Sequence, residues 1–116
     1  AASYNGSRVS VIEIGGTIGD FQNALFIEAA RVLKMKYPDD VLFVMVSYLP
    51  VPGALGEMKT RPTQNAVNQL AGYGIHADFI VARAQVPLDA RRKEKISAAT
   101  GIPVSRIISA PDVRSV

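Results

Sequence analysis

Two cations and two hydroxyls crowd one turn of the segment Gly56-Glu57-Met58-Lys59-Thr60-Arg61-Pro62-Thr63-Gln64. Pro62 suits the first turn of a helix, so Lys59, Thr60, Arg61 and Thr63 fall at a helix start. Such a start exposes unpaired N–H groups and the positive pole of the helix dipole, and it favours anions. Without an anion, Lys59 and Arg61 repel one another and oppose the dipole. The chemistry this spacing suits is capture of a phosphate. The alternative is a solvated helix start with two chance cations.

A second segment is Glu13-Ile14-Gly15-Gly16-Thr17-Ile18-Gly19-Asp20. Glu13 sits among apolar neighbours, where an acid is costly to bury unless it is paired or holds a cation. The glycines let the backbone approach a ligand, and Asp20 stands where a helix cap belongs. The plainer alternative is a strand-end acid beside a turn. A third segment, residues 83–95, carries five positive and two negative charges, which equals the net charge of +3 of the whole chain. It suits anionic ligands or, equally, forms a solvated helix face. Lys93 and Lys95 lie two apart on that helix and point in different directions.

Other chemistries have little support. His76 is the one histidine, within a turn (GYGIHAD), and cysteine is absent, so neither a thiolate site nor a multi-histidine metal site is available. No Walker-type phosphate loop, nucleophile elbow or dinucleotide glycine pattern occurs in the 116 residues. Four Tyr, four Phe and no Trp give no evident stacking platform for nucleic acid. The apolar runs are too short and broken for a transmembrane helix, and no signal peptide opens the sequence. A cytoplasmic location, with no membrane or nucleic-acid partner, is the expectation.

These segments need a scaffold. The length, with 48% hydrophobic and 20% charged residues, suits one domain with a real core. Residues 1–7 (AASYNGS) read as a flexible end. The β-branched run Arg8–Ile14 predicts a strand, and apolar residues from Asn23 to about Lys36 recur at helical spacing. Val41–Tyr48 (VLFVMVSY) is nearly continuous in apolar residues, the pattern of a strand buried on both faces. A helix from Pro62 to Gly72–Gly74, a strand at Asp78–Arg83, a helix at Leu88–Thr100 closed by Gly101, and a short strand at Arg106–Ser109 follow. Strands and helices that alternate in this way predict an α/β fold, a parallel sheet with helices on both faces. Ligands of such sheets sit beyond the carboxyl ends of the strands, where all three segments fall. Both ends look cut, as in a piece of a larger α/β domain.

At these same segments the sequence resembles the CTP synthase family, in the latter half of its N-terminal synthetase (amidoligase) domain, from about Val9 to Val113. The resemblance rests on EIGGTIGD (Glu13–Asp20), FIEAA (Phe26–Ala30), GEMKTRPTQ (Gly56–Gln64) and Asp112-Val113. It implies a P-loop NTPase-like (Rossmann-like) domain, with residues 8–116 forming a partial synthetase domain that lacks the phosphate loop and the glutaminase domain. It also implies amination of UTP to CTP. ATP phosphorylates the uracil 4-oxygen, and ammonia from glutamine displaces the phosphate. Glu13 matches a Mg²⁺ ligand. Lys59, Thr60, Arg61, Pro62, Thr63, Gln64 and Lys95 match the pyrimidine nucleotide site for UTP and CTP. Asp20, Phe21 and Gln22 match a triplet that contacts inhibitory CTP. Pro111, Asp112 and Val113 would lie near the adenine of ATP. The family forms tetramers, so a homo-oligomer is the implied assembly.

The sequence departs from the family pattern at several points. Gln22 replaces the usual Glu. Arg61 replaces Lys, which keeps the charge but changes a point to a fork. Asn65 and Ala66 replace His and Ser, and Ala84-Gln85-Val86 replaces Ser-Asp-Arg. Phosphoryl transfer needs positioning and charge neutralisation, so without the phosphate loop these residues alone are expected to be inactive. A different class of function, a stand-alone UTP/CTP-binding regulatory module, would also retain the site residues. A related amidoligase acting on a biotin precursor fits less well, since such relatives lack the KTRPTQ segment.

Overall fold

The computed structural model describes residues 8–16, 23–51 and 58–113. Helix α1 spans Ala24–Lys36, strand β1 Val44–Tyr48, helix α2 Arg61–Gly72, strand β2 Phe79–Ala84, helix α3 Ala90–Thr100 and strand β3 Ile107–Pro111. The strands are parallel and lie in the order β1-β2-β3. The α/β class read from the sequence is the class observed. No helix among the described residues is long and apolar enough to cross a membrane.

The register sorts the side chains. Met45 pairs with Ile80 and Ile80 with Ile107. All three are buried, and they join Leu49, Val67, Leu88, Ile96 and Ile102 in one core under α2 and α3. Full burial of a side chain such as Ile80 contributes about 1.5–3 kcal/mol. Asp89 caps α3 at its start, and Gly101 closes it in the left-handed conformation at φ +79°, a geometry glycine adopts without a Cβ penalty.

The opposite face differs from expectation. Val46, Val81 and Ile108 form the next row across the sheet. Val44, Val46, Tyr48 and Ile108 are exposed there, and no described helix packs over them. The continuous apolar run at residues 41–48 therefore folds as a strand buried on one face, not two. Right-handed crossovers explain it. Chain movement from β1 to β2 to β3 runs in one direction, and that places both crossover helices on one face. A second covered face needs a reversal of strand order, and the described strands contain none.

The expected strand at Arg8–Ile14 is also absent. The segment has no ladder partner among the described residues, and Val9, Val11 and Ile12 are exposed. β-branched residues favour a pleated surface only where a neighbouring strand supplies one. Residues 1–7, read as a flexible end, lie outside the described residues.

Candidate functional site

Parallel pairing brings the carboxyl ends of β1, β2 and β3 to one edge. Backbone hydrogen bonds continue past the strands and tie the segments beyond them together. Leu49 N–H donates to the Arg83 carbonyl at 2.8 Å, Lys59 N–H to the Pro50 carbonyl at 2.9 Å, and Asp112 N–H to the Ala84 carbonyl at 2.8 Å. Three segments singled out from the sequence, at Lys59, Arg83 and Asp112, thus share one hydrogen-bonded margin.

The start of α2 is anchored from beneath. Thr63 is completely buried and Thr60 nearly so. The Thr63 hydroxyl lies 2.7 Å from the Ser47 hydroxyl on β1, one donating and the other accepting. Gln64 Nε2 donates to Thr60 Oγ1 at 3.1 Å, and Gln64 N–H donates to the Thr60 carbonyl at 3.1 Å. Pro62 occupies the first turn and removes a donor that a helix start leaves unpaired in any case. Lys59 and Arg61 are exposed. Ion pairs among the described residues join Arg31 to Glu28 and Arg92 to Asp89, so neither Lys59 nor Arg61 has a carboxylate partner there. A fixed backbone bearing two cations at a helix N-terminus, neither compensated among the described residues, is an arrangement that attracts an anion.

Of the other segments, the residues after β3 join the margin, whereas no contact ties Lys95 or Glu13 to it among the described residues. An open hollow of about 620 Å³ is lined by Arg83, Ala110, Pro111, Asp112 and Val113. Lys95 is exposed on α3, next to the fully buried Ile96. Glu13 is exposed on the irregular segment before α1. The end of that segment is held by Asn23 Nδ2, which donates to the Gly15 carbonyl at 2.7 Å. No hydrogen bond or ion pair joins Glu13 to Lys59 or Arg61 among the described residues, so the structure does not bring these groups into contact. Nor do three His, Asp or Glu side chains gather to hold a metal among the described residues. Asp20, Phe21 and Gln22 lie outside the described residues. His76 is exposed in the loop before β2.

Sequence reading missed two side chains that build this margin. Ser47 interrupts the apolar strand β1, and Ser109 interrupts β3. Ser109 Oγ accepts from Leu88 N–H at 2.8 Å and so fixes the approach to α3. Each is a small hydroxyl side chain in an apolar strand, Ser47 near the end of β1 and Ser109 at the middle of β3, a signal that was available in the sequence.

Comparison with known proteins bears on this margin. A family model described as CTP synthase N-terminus matches residues 1–116. The CTP synthase of Pyrococcus furiosus is 46% identical over 107 residues, 91% of this chain and 20% of that protein. The CTP synthase of Methanosphaera stadtmanae is 42% identical over 111 residues, 95% of this chain and 21% of that protein. The CTP synthase of Saccharolobus solfataricus is 40% identical over 116 residues, 99% of this chain and 22% of that protein. The chain therefore spans about a fifth of the length of these relatives.

Proposed function

The chain belongs to the CTP synthase N-terminus family, and on that premise we propose that its strand-end margin is the pyrimidine nucleotide site of a CTP synthase. The observation that carries this reading is the Lys59–Gln64 segment, mounted on an anchored helix start with two cations that have no carboxylate partner among the described residues. Lys59 Nζ and the Arg61 guanidinium neutralise the triphosphate of UTP. Arg61 grips two oxygens as a fork, and Lys59 acts as a point charge. Lys95 adds a further cation from α3. Asp20, Phe21 and Gln22 contact CTP when it occupies an overlapping site as inhibitor.

ATP is the co-substrate. Its adenine lies by Pro111, Asp112 and Val113, in the hollow beside Arg83. The γ-phosphoryl group passes to the uracil 4-oxygen with ADP as the leaving group. Ammonia, supplied from glutamine by a glutaminase domain, then attacks that carbon and expels phosphate. Mg²⁺ commonly takes one or two carboxylates together with substrate phosphates, and the lone Glu13 fits that donor set as a single ligand. The ion would offset phosphate charge during transfer. The working assembly is a homo-oligomer in the cytoplasm.

The experiment is an assay of a full-length synthase carrying these 116 residues, with UTP, ATP, Mg²⁺ and glutamine or ammonia, and with CTP measured by chromatography. The reading requires CTP to form in step with ADP. ADP release without CTP, or no turnover with UTP, overturns it.

A further inference from the structure

The hydroxyl pair between Ser47 and Thr63 joins the strand that ends at the margin to the helix that begins there. Thr63 is fully buried, and its hydroxyl is directed at Ser47 Oγ, 2.7 Å away. A side chain so enclosed does not reach a ligand at the surface. Yet it stands two residues from Arg61 and four from Lys59, both exposed. Thr60 is enclosed as well, and its hydroxyl accepts from Gln64. The segment therefore divides by burial. Lys59 and Arg61 face outward, while Thr60 and Thr63 face inward.

We infer that Ser47 and Thr63 are positioning residues that hold the start of α2 in the orientation needed for Lys59 and Arg61 to meet a nucleotide triphosphate together. This deepens the proposed function and rests on it. Two cations two residues apart at the positive pole of a helix are unfavourably placed until an anion arrives. Two attachments hold this segment in place, one to β1 itself and one to Pro50 just past its end. One is the backbone bond from Lys59 to Pro50, which survives any substitution that keeps the N–H. The other is the Ser47–Thr63 hydroxyl pair, which side-chain substitution removes. Loss of the pair frees the helix start to shift, and small displacements of positioning groups are costly to substrate capture.

The test is steady-state kinetics on the complete enzyme carrying this segment, with Ser47→Ala, Thr63→Val, the double variant, Thr63→Ser and Lys59→Ala compared. The expected result is a rise in KM for UTP of about fivefold in Ser47→Ala and in Thr63→Val, the net worth of one hydrogen bond. At saturating UTP, kcat stays near wild type and KM for ATP is unmoved. The double variant matches either single one, because both remove the same bond, and Thr63→Ser restores wild-type behaviour. Unchanged KM for UTP in Ser47→Ala, with a large rise in Thr63→Val alone, would show direct contact by Thr63 and overturn the inference. So would equal losses of kcat with all substrates. Should Thr63→Val fail to fold, Ser47→Ala, a smaller change at a half-buried site, decides the matter alone. Lys59→Ala separates the two levels. If it leaves KM for UTP unchanged, the nucleotide reading itself fails; if it raises KM while Ser47→Ala does not, only the positioning role fails.

Discussion

Asp89 accepts the backbone N–H of Arg92 at 2.8 Å and also pairs with the Arg92 guanidinium. It thereby closes the first turn of α3, the helix that carries Lys95. The Arg92 backbone N–H above all, and then the Arg92 side chain and the Arg91 charge, hold the Asp89 carboxyl below its ordinary 3.8. A carboxyl lowered in the folded state contributes stability above its unfolded value and loses it as pH falls through the folded one. The cap is thus complete above pH 3.8 and is lost progressively below it. Amide protection factors in the first turn of α3, taken relative to the intrinsic exchange rate at each pH, should fall in the wild type as the Asp89 carboxylate is protonated. In Asp89→Ala that turn should exchange rapidly even at neutral pH. Equal protection in the two proteins at neutral pH would contradict the cap.

The uneven cover of the sheet gives a second prediction. Ile80 lies in the core between Met45 and Ile107, whereas Val46 lies on the open face at 61% exposure. In the 116-residue chain, Ile80→Ala should cost about 2–5 kcal/mol, the usual range for a buried Ile or Leu. Val46→Ala should stay within about 0.5 kcal/mol. Urea unfolding measures both. Comparable losses would mean that the second face is also packed.

A third prediction concerns activity. Phosphoryl transfer relies on positioned phosphates and neutralised charge, and no Walker-type loop lies within these 116 residues. The isolated 116 residues should form no CTP from UTP, ATP and ammonia. CTP above a protein-free blank would contradict this.

Helix and strand order, the parallel sheet and the crowded cations at Lys59 and Arg61 were legible in the sequence. Glycine, proline and periodicity mark those elements directly. Exposure of Val44 and Val46 was not legible, because an apolar run records what a residue tolerates and not which neighbours cover it. The strand reading at Arg8–Ile14 failed for the same reason: β propensity needs a partner strand. Thr60 and Thr63 read as ligand contacts because hydroxyls near cations suit phosphate. Their inward direction emerges only once α2 is laid on β1 and Ser47 comes into reach. The family match carries the identity of the family, whereas the geometry shows how the backbone at Lys59–Gln64 is held.

Lys59 bears the central claim, because its backbone bond to Pro50 does not depend on its side chain. Lys59→Ala removes the cation and leaves the anchor in place. Equilibrium titration of the complete enzyme with UTP–Mg²⁺ should show affinity weakened by about tenfold or more, the loss of a charge-assisted contact, with unchanged thermal stability. Equal UTP affinity in wild type and Lys59→Ala would contradict the account.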